Sequence, residues 1–279
     1  MQKIKRITLL LWSVFFFVIS SVLSQNRAIA EAADNPYGWD LLSSYTTYFN
    51  QKDGGRCENI EIAAALIDGI TVQPYGEFSF NATVGRRTEE AGFQQAKIIV
   101  NGEYVVGVGG GVCQVSTTLY NAALLAGLAV TEYRPHSLCP AYVPPSRDAM
   151  VSTQSDLKIF NAHSHAIHVS STIQNGSVKI CIFGKDEGYR YAITQRVLGE
   201  IPPPEPIVKE GEKEEILRQE KSGTKSEAYL ECYKNGALIS RKRLRVDEYR
   251  PLQGIIVKKV SNTTKKISFN ACVFLRKML

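Results

Sequence analysis

Three Asn-Gly pairs, Asn101-Gly102, Asn175-Gly176 and Asn235-Gly236, constrain this chain more than any other feature. Each sits between two runs rich in alternating apolar and β-branched residues: 97–100 and 104–108, 167–173 and 178–183, and the two halves of 229–244. Asn and Gly accept positive φ at both corners of a type I′ turn, whose twist matches that of the strands it joins. Three such hairpins commit the chain to antiparallel pairing. Further strand patterns fall at 41–49, 77–80, 130–133, 157–160 and 249–260. Two stretches carry a helical repeat instead. One is 56–68, with Ile60, Ala63, Ala64 and Ile67 on one face; the other is 114–128, with Leu119, Ala122, Ala123 and Ala126. The expectation is an α+β fold: a mainly antiparallel sheet with a few packed helices, plus a small C-terminal β unit.

The first thirty residues read as a secretory leader. Lys3, Lys5 and Arg6 precede an apolar run from 7 to 23, and Ala28-Ile29-Ala30 offers a small-x-small site, so cleavage is expected after Ala30. Uncleaved, the same run would be a membrane anchor; no later segment is long or apolar enough to span, and the remainder is expected to be soluble. The leader holds four of the 33 basic residues and no acidic one, so 29 face 27 in the rest and the formal +6 falls to about +2. With no basic stripe interleaved with aromatics, a nucleic-acid partner is not expected. The proline-rich 201–206 and the charged 209–225 read as linker. The expected organisation is a leader at 1–30, a main domain at 31–185, a linker at 186–226 and a β extension at 227–279.

Chemistry concentrates where Gly109-Gly110-Gly111 runs into Cys113 at the start of the second helix. A helix N-terminus favours thiolate, the nucleophilic form of cysteine; a cysteine packed beside a tight turn is the bland alternative. A nucleophile needs a base, and His136, in a loop shortly after that helix, is the best placed of four histidines. His163, His165 and His168 cluster, yet no carboxylate accompanies them at ligand spacing, so neither a metal nor another cofactor is expected. Backbone amides at Gly111, Cys113 and Gln114 are candidate oxyanion donors. Asp148 is placed to orient His136 or to cap a turn. Arg87, Tyr142 and Ser116 are candidate substrate contacts.

Beyond those residues, GGGVCQVSTTLYNAALLAGL, RPHS, YVPP and RDAMVS resemble the VanW-like family, named for an accessory protein of vancomycin-resistance clusters. NIEIAAALIDG and GEFSFNATVGRRTEEAGFQQAKIIVNGEYVVGVGGG are similar to it as well, so the resemblance spans roughly 45–185. The tail, with YKNGALISRKRLRVDEYRPLQG, is weakly similar to G5-like extensions. The resemblance implies a Gram-positive cell envelope setting and L,D-transpeptidation of peptidoglycan stem peptides through a cysteine acyl-enzyme. It places the nucleophile at Cys113 and the base at His136. L,D-carboxypeptidase action would share the same acyl-enzyme. Cys139 departs from the family pattern and is a possible disulfide partner for Cys113. Two other readings stand beside this one. A carboxylate-dependent glycan-cleaving enzyme would use Glu77, Glu103 or Asp148. A non-catalytic peptidoglycan- or glycopeptide-binding accessory protein would use the glycine loop as a carboxylate nest.

Overall fold

The computed structural model describes residues 39–100 and 102–259. The expected leader at 1–30, Asn101 and Cys272 lie outside the described residues. Along the chain run β1 (Asp40–Tyr48), α1 (Gly54–Ile67), β2 (Thr71–Val72), β3 (Glu77–Ser79), α2 (Phe80–Val84), β4 (Gln95–Val100) and β5 (Glu103–Val108). They are followed by α3 (Val112–Leu125), β6 (Ala129–Glu132), β7 (Lys158–Phe160), β8 (Ile167–Gln174), β9 (Ser177–Gly184) and β10 (Tyr189–Ile201). The last elements are β11 (Ile207–Gly211), β12 (Glu215–Arg218), β13 (Gly223–Lys234), β14 (Ala237–Tyr249) and β15 (Ile255–Lys259).

Two of the hairpin turns have the backbone their sequence demands: φ is +50° at Asn175 and +71° at Gly176, and +50° at Asn235 and +79° at Gly236. They join β8 to β9 and β13 to β14. The central sheet runs β1-β9-β8-β2, a smaller one runs β3-β7-β6, and β4-β5 stands as a hairpin. Against the central sheet pack α1 and α3. Helix α1 buries Ile60, Ala63, Ala64 and Ile67. Helix α3 is buried on every side from Val112 to Leu124 except at Cys113. A helix without a wet face must satisfy its polar side chains inside. Thr118 Oγ1 meets Thr47 Oγ1 of β1 at 2.8 Å, and the Gln114 amide donates to Thr47 Oγ1 and the Tyr48 carbonyl, both at 3.0 Å.

The α+β expectation is corrected. Among the described residues strands take 47% and helices 16%, in three helices, so the fold is mostly antiparallel β. Much of the difference comes from 186–226, expected as linker, which holds β10, β11 and β12. Strand β10 pairs with β13, and β13 with β14, in a long three-stranded ribbon; β11 and β12 flank β15. The two outer strands of the ribbon are exposed over much of their length, so charge and proline content hid the pairing. Among the described residues, no helix is long and apolar enough to cross a membrane.

Candidate functional site

Glycine is needed where β4 meets the start of α3. A Cβ on Gly110 would lie 2.6 Å from the Lys97 carbonyl, and Gly111 has φ +112° as the residue that caps α3. This close turn sets Cys113 on the second helical residue, half-buried, with Sγ 3.4 Å from the Val151 carbonyl. The amide of Val112 bonds the Gly109 carbonyl and that of Gln114 bonds the Gly111 carbonyl. Gln114 therefore has no free amide for an oxyanion, which corrects that expectation. Among the described residues the amides of Gly111 and Cys113 have no such backbone partner, as the first turn of a helix requires.

The other half of the site comes from the loop between β6 and β7, which α3 grips with its buried polar face. Ser116 Oγ donates to the Ala149 carbonyl at 2.7 Å, the Ala149 amide donates to Thr117 Oγ1 at 3.0 Å, and Asn121 Nδ2 donates to the Arg147 carbonyl at 2.7 Å. Ser116 is thus fully buried and spent on the loop; it does not face substrate, as the sequence reading had it. The grip places Asp148 against His136. Asp148 Oδ2 accepts from the His136 amide and from Nδ1, each at 2.7 Å. With Nδ1 so engaged, Nε2 is the nitrogen left to act on the Cys113 thiol, and each of the two groups shifts the titration of the other. Cys113, His136 and Asp148 form one line.

Charge follows geometry. Burial pushes the Cys113 thiol up, but the His136 hydrogen bond and charge, a Val151 backbone contact and the Arg87 charge outweigh it, and the thiol lies below its ordinary value. Burial pushes His136 down, while its bonds to Asp148 and Cys113 push it up to about 9. Asp148 is raised by burial and lowered further by His136, Arg245 and Tyr249, for a net fall. Both shifts favour the thiolate–imidazolium form of the pair over the neutral one. Because His136 titrates above its free value of 6.5, its contribution to stability is complete below that pH and is lost as pH rises through about 9. Alkylation of Cys113 by iodoacetamide is expected to have its midpoint below 9.0, whereas Cys139, which burial pushes up to about 11, should stay unreactive at neutral pH. A Cys113 profile centred at 9 or higher contradicts the pairing.

Around this line the remaining candidates separate. Arg87 packs on Gly109, acts on the charge of Cys113, and donates to Asn81 Oδ1 at 2.8 Å. Tyr142 is half-buried beside Thr117 and Cys113, with the Arg56 guanidinium 5.9 Å from its ring centroid. Cys139 is a free thiol, as are Cys57 and Cys113, so the expected redox partner of Cys113 is unbonded. The carboxylates of the glycan-cleaving reading do not pair: Glu77 accepts from Thr131, Glu103 bonds Arg218 on the surface, and Asp148 is committed to His136. The histidine cluster does gain a carboxylate through the fold, with Glu187 3.9 Å from His165 Nε2. The His163 and His165 rings stack at 4.9 Å with planes 15° apart, and one ligand atom from each of His163, His165 and Glu187 lies within 4.8 Å of the others.

Sequence reasoning missed two side chains. Tyr249 donates to Asp148 Oδ1 at 2.5 Å, and Arg245 donates to the Asp148 carbonyl at 2.6 Å and reaches Oδ1 at 3.3 Å. Both belong to β14. The signal was the buried alternation Arg245, Asp247, Tyr249 at the end of a strand that is otherwise exposed.

Residues 55–183, which contain Cys113, His136 and Asp148, match the family described as VanW like protein. Over these residues the chain is similar to the VanW-like family. It is 42% identical over 146 residues to the uncharacterized protein YoaR of Bacillus subtilis (strain 168), a match covering 52% of this chain and 48% of YoaR. The chain therefore spans about half the length of this VanW-like relative. Two solved G5 domains are fainter likenesses. HP0197-G5 is 19% identical, covering 25% of this chain and 97% of its own, with a TM-score of 0.14. The IgA1 protease G5 domain is 18% identical, covering 26% and 93%, with a TM-score of 0.18. At these scores neither bears on the fold. Arg245 and Tyr249 lie outside the VanW-like match.

Proposed function

We propose that this chain is an exported cell-wall protein whose VanW-like domain is a cysteine acyltransferase acting on peptidoglycan stem peptides. The observation that supports it most is the grouping of Cys113, His136 and Asp148, with a thiol held below its ordinary value at a helix start beside the amides of Gly111 and Cys113. The substrate class follows the family; the reaction type follows the residues.

In this reading the Cys113 thiolate attacks the carbonyl of the third, diamino acid residue of a tetrapeptide stem. The amides of Gly111 and Cys113 receive the negative oxygen, each such donor being worth about 3–4 kcal/mol in the transition state. His136 gives its Nε2 proton to the departing D-alanine nitrogen as the C–N bond breaks, leaving a thioester and a neutral imidazole. That imidazole then takes a proton from an incoming amine, which attacks the thioester and regenerates the thiolate with a 3→3 cross-link. Water in place of the amine gives the tripeptide. Asp148 holds the imidazole through both steps, and Arg87 is set to meet a stem carboxylate with the two-pronged geometry arginine favours.

Purified tetrapeptide muropeptides, incubated with the protein and followed by mass spectrometry, test this. The expected result is a stem acyl adduct on the Cys113 peptide, with release of D-alanine. Absence of both the adduct and any tripeptide or 3→3 dimer overturns it.

A further inference from the structure

The carboxylate that orients His136 is anchored from a strand about a hundred residues away. Tyr249 is fully buried, and its hydroxyl sits between two partners: it accepts from the Ser146 amide at 2.8 Å and donates to Asp148 Oδ1 at 2.5 Å. Ser146 holds φ +61°, a left-handed conformation that costs a non-glycine residue of order 1 kcal/mol or more unless its surroundings enforce it. The enforcement comes from the same ribbon, since Ser146 Oγ also bonds Ser226 Oγ of β13 at 2.7 Å. The ribbon makes room for this on one face. Across from Arg245, Asp247 and Tyr249 stand Ala228, Ser226 and Thr224, all small.

We propose that Tyr249 is a positioning residue for the Cys113–His136 pair, and that the C-terminal ribbon is therefore part of the site of the VanW-like domain. This rests on the reading of Cys113 as the nucleophile. The physical argument is a competition for one carboxylate. Asp148 Oδ2 serves His136 twice, while Oδ1 is held by Tyr249 and only distantly by Arg245, at 3.3 Å. Without the phenol, the carboxylate is free to turn toward the guanidinium and tighten that longer contact. Oδ2 then leaves the imidazole, the imidazolium loses support, and the thiolate that it stabilises becomes harder to form.

The test uses the full chain with Tyr249→Phe, which keeps the ring and removes the hydroxyl. Ser226→Ala serves as a control that weakens the same ribbon contact without touching Asp148. Two readouts are taken: the pH profile of Cys113 alkylation by iodoacetamide, which needs no peptidoglycan, and turnover of tetrapeptide muropeptides. In Tyr249→Phe the alkylation midpoint should move up in pH, and alkylation on the acid side should slow about tenfold, the scale of one hydrogen bond to a charged group. Turnover should fall by a similar factor. Ser226→Ala should leave the midpoint where it is in the wild type. A Tyr249→Phe midpoint equal to the wild-type one, with only a lower melting temperature, overturns the proposal, and so does an equal shift in Ser226→Ala. If Tyr249→Phe does not fold, Tyr249→Met replaces it, since it also removes the hydroxyl and leaves an apolar side chain; an unmoved midpoint there is equally fatal. A wild type that turns over no muropeptide but whose midpoint shifts in the variant removes the acyl-transfer reading and leaves the role of Tyr249 standing.

Discussion

Cys113→Ala is expected to lose the stem adduct altogether and to lower turnover by on the order of 10⁴–10⁶-fold, the scale seen when a nucleophile is deleted from a preorganised site. The residual rate should reflect the two free amides and substrate binding alone. Folding should survive, because the side chain is half-buried and its hydrogen bond to the Val151 carbonyl is a 3.4 Å thiol contact. A melting temperature close to that of the wild type, with product formation absent by mass spectrometry, is the expected pair of results. Cys113→Ser separates charge from shape. A hydroxyl has the right position but is not ionised by His136, so it should bind substrate and fail to acylate. Turnover retained by Cys113→Ala would remove the nucleophile and return the glycine loop to a binding role.

Arg245→Met is expected to be the most destabilising single change in the described residues. The guanidinium is 2% exposed, donates to Asp148 and to Asp247 Oδ2 at 2.6 Å, and lies over the rings of Tyr133 and Tyr120 at 4.6 and 5.8 Å. Methionine fills much of the volume but leaves two buried carboxylates facing no cation on that side. Removing one partner of a buried pair costs about 3–5 kcal/mol. For a chain of this size that corresponds to a fall in melting temperature of about 6–20 °C. Calorimetry of the purified variant measures it directly; a fall under about 2 °C would show that Arg245 is dispensable for docking the ribbon. Adding Asp247→Asn to Arg245→Met should recover part of the loss, since it removes one of the two stranded charges.

How much of this was legible in the sequence depended on how local the cause was. The turns at Asn175-Gly176 and Asn235-Gly236 read correctly because positive φ at both corners belongs to those two residues alone. The expected helices at 56–68 and 114–128 fall close to α1 and α3, since each buries an apolar face. His136 and Asp148 are twelve residues apart in one loop, and their pairing needed no long-range information. Gln114 and Ser116 misled because type says nothing of burial: on a helix with no wet face, even good polar contacts are consumed by packing. The ribbon misled for the opposite reason. Its two outer strands are exposed over much of their length, and in β14 the two-residue alternation that marks a half-buried strand surfaces only from Arg245 onward.

That placement also gives the site a birth order. Synthesis runs from the N-terminus, so Cys113, His136 and Asp148 exist as chain well before Tyr249 does, 101 residues beyond Asp148. Throughout that interval the loop that carries the acid has neither Tyr249 nor Arg245 to close it. The thiol thus reaches its finished surroundings only when the ribbon folds back, and a chain interrupted between residues 149 and 244 carries Cys113, His136 and Asp148 but neither Arg245 nor Tyr249.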